Sequence, residues 1–287
     1  MKAFIKTLVY RLTFSIALFF LALDNYHSQL LWEISGNGLD RKSYLYGTLH
    51  VAPAKEFYLN PNVQSVMKNC DVLALEIVVN LKDAIAIAPM MVLENGKNIQ
   101  DYLNPQEFAR FRDYCLNTIK MKEKKFKRYY RLKPFFISSD LLIQQLGKIK
   151  KVEKELEKIA KKNKMSVMGL ETIEFQMQTI NTMSVEEGYK QLMRDLGNEM
   201  TEFRRLLSEY KKENLLALLD MMAKSEAETP GFTEAFLNIR NRNWIPVIEK
   251  IIKDKAVFVA VGAAHLPGEE GVINLLKKQG YELKAIR

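Results

Sequence analysis

Asp71-Val72-Leu73-Ala74-Leu75-Glu76-Ile77-Val78 is almost continuously apolar, the pattern of a strand covered on both faces, as in a parallel sheet flanked by helices. Upstream, Pro61 to Cys70 reads as a short helix with proline in its first turn. Ser43 to Leu49 and Leu30 to Ser35 read as strands, the latter ending on the turn signal Gly36-Asn37-Gly38. Downstream, from about Leu81 to Asn163, the apolar period becomes helical, with breaks at Gly96, Pro105 and Pro134. Met165 to Leu170 is a further strand, and helices resume from Thr172 to Lys253, interrupted at Gly188, Gly197 and Pro230-Gly231. The C-terminus returns to β/α order: strand Ala256 to Val261, helix Gly271 to Lys278, strand Tyr281 to Ile286. The fold class expected is α/β, a mixed sheet built from the N- and C-terminal halves, covered by helices, with a large helical insertion at about 81–163. No linker or repeat divides the chain, so residues 29–287 are expected to form a single domain.

A chain of 287 residues, 48% of them hydrophobic, can bury a full-sized core, which excludes disorder as its main state. Its start runs basic, apolar, polar: Met1, Lys2, Lys6 and Arg11, then an apolar block from Leu12 to Leu23, then Asp24 to Gln29. That order reads as a secretory signal over residues 1–28, with an uncleaved N-terminal anchor as the alternative. The block is shorter than the ~20 residues of a bilayer span. The protein is therefore expected outside the cytoplasm, periplasmic or secreted, or membrane-anchored through this segment. There Cys70 and Cys115 could pair or remain two buried thiols, and neither lies in a zinc-ligand spacing.

The net charge of +9 is concentrated in Lys120 to Lys133 and Lys148 to Lys164. In the second run lysines alternate with Glu153, Glu155 and Glu157 at helical spacing, which reads as a solvated helix face. Few aromatics interleave with it, and export removes the chain from nucleic acid, which is excluded as a partner. Peripheral contact with an anionic membrane surface fits the charge.

Of the three histidines, His27 belongs to the signal segment. The other two sit in matched settings, Tyr44-Leu45-Tyr46-Gly47-Thr48-Leu49-His50 and Val259-Ala260-Val261-Gly262-Ala263-Ala264-His265. Each is an apolar strand, a glycine, and two small or apolar residues before the histidine. Gly47 and Gly262 let the backbone turn sharply or come close to a ligand. His50 and His265 then project beyond the sheet, where open α/β sheets place their ligands. Leu73-Ala74-Leu75-Glu76 places Glu76 inside an otherwise apolar strand, and Val167-Met168-Gly169-Leu170-Glu171 does the same for Glu171. An ionised carboxylate in such surroundings needs compensation, whether from a metal or from one of the lysines and arginines.

His50, Glu76 and His265 together form a nitrogen and oxygen set suited to Mn2+, Co2+ or Zn2+. Such a centre activates water, and Glu171 is the spare carboxylate that could take its proton. In Ile239-Arg240-Asn241-Arg242-Asn243-Trp244 an arginine could hold a carboxylate or an oxyanion, and an asparagine could orient it. The alternative is a polar helix face with Trp244 packed inward. No Gly-x-Ser-x-Gly elbow and no phosphate-binding glycine loop occurs.

The segments YLYGTLHV, DVLALEI, GLETIEFQ, IRNRNW and VFVAVGAAHLPGEEGVINLLKKQGYEL resemble the TraB/GumN family, which is related to the TIKI proteases, over about Leu30 to Arg287. The resemblance implies a divalent-metal-dependent, peptidase-like α/β fold with both histidines at the site. Carried over residue by residue, it implies Gly47 and His50, Glu76, the Arg240-Asn241 pair, and Gly262 with His265. Glu171 rests on the reading of its strand. Ile239 stands where a glutamate is expected before the Arg-Asn pair, so 240–241 and 242–243 both remain open. The function implied is a metal-dependent hydrolase cleaving a peptide or protein substrate. Two other classes stand beside it: a haem- or ligand-binding protein using the histidines as axial ligands, and a regulatory protein that presents the basic helices as a contact surface. No motif specifies an oligomeric state.

Overall fold

The structure, a computed structural model, describes residues 29–228 and 231–287. The expected signal segment, and Pro230 of the expected Pro230-Gly231 break, lie outside the described residues. The strands are β1 (Leu31–Gly36), β2 (Ser43–Thr48), β3 (Val51–Pro53), β4 (Val72–Leu75), β5 (Ile149–Lys151), β6 (Ser166–Gly169), β7 (Val257–Gly262) and β8 (Tyr281–Ala285). Six of them form one sheet in the order β6-β4-β7-β2-β1-β8, and β3 pairs with β5 in a small second sheet. Strands β6, β4, β7 and β2 run parallel, while β1 is antiparallel to both β2 and β8. The fold is thus α/β with a mixed sheet drawn from both ends of the chain. Every residue of β2, β4 and β7 is buried, as the unbroken apolar runs of β4 and β7 require of strands covered on both faces.

The α-helices are α1 (Val63–Met67), α2 (Leu81–Ile87), α3 (Pro105–Asp113), α4 (Glu123–Phe126), α5 (Pro134–Leu146), α6 (Val152–Lys162), α7 (Ile173–Asn181), α8 (Val185–Asp195), α9 (Glu199–Lys211), α10 (Leu215–Glu228), α11 (Ile239–Ile252) and α12 (Val272–Lys278). The helical stretch expected over 81–163 divides in two. Leu93, Phe111, Phe126 and Leu141 build a separate hydrophobic cluster, joined by Tyr189 and Leu192 of α8. Helix α6 instead sends Val152, Leu156 and Ala160 into the sheet's core. Truncating Leu156 to alanine would therefore cost about 2–5 kcal/mol. Outward, Lys154 pairs with Glu157 and Lys158 with Glu155, the solvated face read from the sequence.

Three local expectations are corrected. The strand read as 71–78 stops at Leu75, because the next carbonyl, that of Glu76, accepts from Leu170 and Glu171 as the chain turns away. Glu76 is consequently the first residue past its strand, and Glu171, also expected within a strand, lies two residues beyond the end of β6 at Gly169. Strands β3 and β5 were not foreseen, since three residues each are too few to display alternation. Gly188 does not interrupt the helices but lies within α8; a Cβ there would stand 2.5 Å from Cγ of Pro134, so the glycine permits close helix packing.

Cys70 and Cys115 are free and buried, in different hydrophobic clusters. Burial pushes both thiols up to about 12, which makes them unreactive. No helix among the described residues is long and apolar enough to cross a membrane.

The start of β1 and the end of β8 share the edge of the sheet at which β2 ends. Gly47 donates to the Leu30 carbonyl at 2.9 Å, and Ile286 donates to that of Leu31 at 2.9 Å. The Leu30 amide is held by Glu213, which also binds Tyr58 and Asn60.

Candidate functional site

Four adjacent parallel strands finish on one edge, and each delivers residues to it. In spatial order, β6 leads to Glu171, β4 to Glu76, β7 to Gly262 and His265, and β2 to Gly47 and His50. The carboxyl ends of such strands are where open α/β sheets bind ligands. The β2–β7 register sets Thr48 opposite Gly262, so the two Gly-x-x-His turns leave the sheet side by side.

Glu76 is the hub. Its Oε1 accepts the Gly262 N–H at 2.6 Å, and its Oε2 accepts Arg240 Nη2 at 2.5 Å. His50 Nε2 and His265 Nε2 face the same Oε1 at 3.9 and 3.8 Å. Burial alone would raise the carboxyl's pKa, but His265, His50, Arg240 and the Gly262 N–H outweigh it and hold the group down at about 2.

Arg240 joins the two carboxylates. Its Nε donates to both oxygens of Glu171 at 3.0 and 3.2 Å, and its Nη2 reaches Glu171 Oε1 at 2.6 Å. Its Nη1 donates to the Phe236 carbonyl at 3.1 Å, and that carbonyl belongs to the single π-helical turn preceding α11. The guanidinium also stacks on Trp244, 4.8 Å from the ring centre. Glu171 accepts further from Trp244 Nε1 at 3.0 Å and from Gln176 at 3.2 Å. With both oxygens engaged, Glu171 is placed to orient Arg240 rather than to stand as the spare proton acceptor the sequence suggested.

Of the two Arg-Asn pairs, 240–241 turns inward. Arg240, Asn241, Trp244, Ile245 and Ile248 form the buried stripe of α11, whereas Arg242 is exposed and pairs with Glu234 and Glu270. Asn241 Oδ1 lies 2.7 Å from His265 Nδ1, and its Nδ2 is spent on the Glu270 carbonyl at 2.8 Å. The amide oxygen therefore accepts, Nδ1 of His265 carries the hydrogen, and Nε2 keeps its lone pair. Burial, with Arg240 and His50 against the opposing pull of Glu76, pushes this histidine down to about 3, so it is neutral at pH 7.

His50 sits at the mouth, with 61% of its side chain exposed. Its Nδ1 lies 2.7 Å from Glu153 Oε1, an oxygen that also accepts from Thr48 Oγ1 at 3.1 Å. Desolvation opposes protonation, but the Glu153 hydrogen bond and the charges of Glu76 and Glu153 prevail and raise its pKa to about 9. Solvent on the open side of the ring tempers that shift.

The two glycines differ in purpose. A Cβ on Gly262 would stand 3.3 Å from Glu76 Oε1 and 3.4 Å from both His50 Nε2 and His265 Cδ2, in the middle of the donor set. A Cβ on Gly47 would meet Ala263 at 3.0 Å and Leu266 at 3.2 Å. Gly47, expected beside a bound group, instead lets β2 pack against the turn that carries His265.

Residues 30–285 of this chain match the TraB/PrgY/gumN family. The chain belongs to that family. Among curated proteins it is similar to Metalloprotease TIKI1 of Danio rerio, at 21% identity over 315 residues that take in 90% of this chain and 63% of the fish protein. The chain thus spans less than two thirds of that relative's length. No solved structure matches it.

Two contributors to this TraB/PrgY/gumN site went unread in the sequence. Glu153 was counted among the charges of a solvated face, although it lies three and seven residues before buried Leu156 and Ala160, the spacing of one helix stripe. Gln176 stands in the quoted GLETIEFQ segment and reaches Glu76 Oε2 at 3.4 Å, but nothing in a lone glutamine marks it in advance.

The donor chemistry suits a divalent cation. Each histidine has Nδ1 tied to a side-chain oxygen and Nε2 turned to Glu76, the arrangement by which metal-binding histidines are oriented. Glu76, Glu171 and Glu153 set three carboxylates against the Arg240 guanidinium and a protonated His50; once His50 gives up its proton to act as a ligand, the remaining excess of negative charge is one that a dication would balance. Among the described residues, however, no three His, Cys, Asp or Glu side chains stand in a ligating arrangement. Arg240 Nη1 meanwhile approaches His265 Nε2 at 3.2 Å. Donors sharing one ion stand roughly 3 Å apart, so the rings would have to close on Glu76 by under about 1 Å.

Proposed function

We propose that this TraB/PrgY/gumN protein is a divalent-metal-dependent hydrolase acting on a peptide bond, with His50, Glu76 and His265 as the residues that hold the ion. The observation that carries the reading is the convergence of both Nε2 atoms on Glu76 Oε1. The similarity to a metalloprotease supports it. A divalent ion there would polarise a carbonyl oxygen and acidify water. Asn241 and Glu153 fix the histidine tautomers, and Glu171 with Trp244 clamps Arg240. All five N–H groups of Arg240 are engaged by Glu171, Glu76, the Phe236 carbonyl and His265, and a His265 Nε2 turned to the ion would release one Nη1 donor to stabilise negative charge developing on the substrate oxygen.

The haem-binding alternative needs apolar walls against both imidazoles, whereas here Glu76 and Arg240 lie against them. The N-terminal pattern favours action outside the cytoplasm, and the similarity to a metalloprotease favours a peptide or protein substrate.

The reading is tested by calorimetric titration of the metal-stripped protein with Mn2+, Co2+ and Zn2+, paired with hydrolysis of a peptide library. The parent should bind one ion and cleave, while His50→Ala and His265→Ala should lose both properties and keep the parental circular dichroism. If both variants bind and hydrolyse like the parent, the protein is not a metallohydrolase of this design.

A further inference from the structure

We infer that residues 149–153 clasp the His50 turn, and that Glu153 is the positioning residue of His50. This rests on the metallohydrolase reading for its consequence, but not for its geometry.

Immediately after His50 the chain forms β3, and β3 pairs only with β5, setting Val51 opposite Lys151 and Pro53 opposite Ile149. One residue past β5, the Val152 N–H donates to the His50 carbonyl at 3.3 Å. One residue further, Glu153 Oε1 meets the His50 ring at 2.7 Å. Backbone, strand and ring of the histidine are therefore all held by five consecutive residues from a distant part of the chain. That segment is itself anchored, because Val152 and Leu156 are buried in the sheet's core.

Within the pair, the carboxylate is the fixed partner. Glu153 is 26% exposed against 61% for His50, and Thr48 Oγ1 donates to the same carboxylate oxygen at 3.1 Å. An ordinary surface ion pair would have neither the third partner nor the backbone bond beside it. A carboxylate oxygen accepts, so Nδ1 of His50 carries hydrogen, and Nε2, facing Glu76 Oε1, is the nitrogen that would give up its proton to an incoming cation. His265 holds its Nδ1 hydrogen in the same way, through the amide oxygen of Asn241. The two histidines are thus prepared alike by different means, and the carboxylate-backed one is the stronger donor to a cation.

The experiment compares the full chain with Glu153→Leu and Glu153→Gln, and with Lys154→Gln as a control on the same helix. Proton–nitrogen NMR of the metal-free protein reads the hydrogen on His50 Nδ1, assigned by its loss in His50→Gln. It should be protected from exchange in the parent and in Glu153→Gln, whose amide oxygen can still accept, and lost in Glu153→Leu. Mn2+ affinity should fall about 10–100-fold in Glu153→Leu, less in Glu153→Gln, and not at all in Lys154→Gln. A protected Nδ1 hydrogen and parental affinity in Glu153→Leu would overturn the assignment. If the parent itself binds no metal, the hydrolase reading fails while the NMR comparison still decides the role of Glu153. Should Glu153→Leu fail to fold, loss of protection or of affinity in Lys154→Gln but not Glu153→Gln would equally overturn it.

Discussion

Replacing Arg240 by alanine tests the centre of this site most directly. The residue is 6% exposed and is the cation shared by Glu76 and Glu171. Without it two carboxylates remain enclosed with no guanidinium between them. Breaking a buried ion pair from one side costs about 3–5 kcal/mol, and loss of the stacking on Trp244 adds to that. In a domain of this size each kcal/mol moves Tm by about 2–4 °C, so the expected fall is about 6–20 °C. The assay is calorimetry in metal-free buffer at pH 7, with Arg242→Ala in parallel, because Arg242 makes its ion pairs in solvent, where screening weakens them. Mn2+ should return part of the loss, since a ligand held only by the folded state adds about 2.7 kcal/mol at a hundred times its Kd. If Arg240→Ala and Arg242→Ala melt within about 2 °C of each other, the buried charge arrangement derived above is wrong.

Gly262→Ala should abolish metal binding with little loss of stability, because the added Cβ would crowd three side chains and no backbone, 3.3 Å from Glu76 Oε1 and 3.4 Å from His50 Nε2 and His265 Cδ2; titration calorimetry beside a melting curve separates the two effects. The pH dependence of stability follows from opposite shifts. His265, held at about 3 when folded against about 6.5 unfolded, contributes stability that is intact above about 6.5 and lost as pH falls toward 3. Glu76, held at about 2, contributes stability that is lost as pH falls below its ordinary range. His50, raised to about 9, contributes stability that is complete below about 6.5 and lost as pH rises through 9. Stability of the metal-free protein should therefore begin to fall below about pH 6.5, and His265→Asn should flatten the curve between about 6.5 and 4.5; an unchanged curve in that variant would remove His265 from the account.

The sheet was legible because β4 and β7 are buried on both faces and so carry unbroken apolar runs, a signal that survives without any knowledge of their neighbours. The histidines were legible because only two lie beyond residue 28, both three residues after a glycine at or next to the end of a strand. What the sequence left open depends on rotation and on distant partners. Whether Arg240 or Arg242 points inward is decided by the angle at which α11 packs against the turn carrying His265. The task of Glu171 depends on Trp244 and Arg240, some seventy residues away. Glu153 looked like one more charge in a lysine-rich helix, since its meeting with His50 spans 103 residues and is arranged by two strands too short to announce themselves.

Both the first and last described segments leave the molecule on the rim that carries the site. Leu30 is bonded to Gly47 beside the His50 turn, and Arg287 is pinned by Asn62 two strands away. An affinity tag or fusion partner joined next to either described end is tethered on the side of the candidate site. The opposite rim, where Gly36, Ser43, Val257 and Tyr281 lie, carries neither tether nor site. Immobilising the protein through that far rim would leave the cleft open to a large substrate, whereas capture through a terminal tag would turn the cleft toward the support.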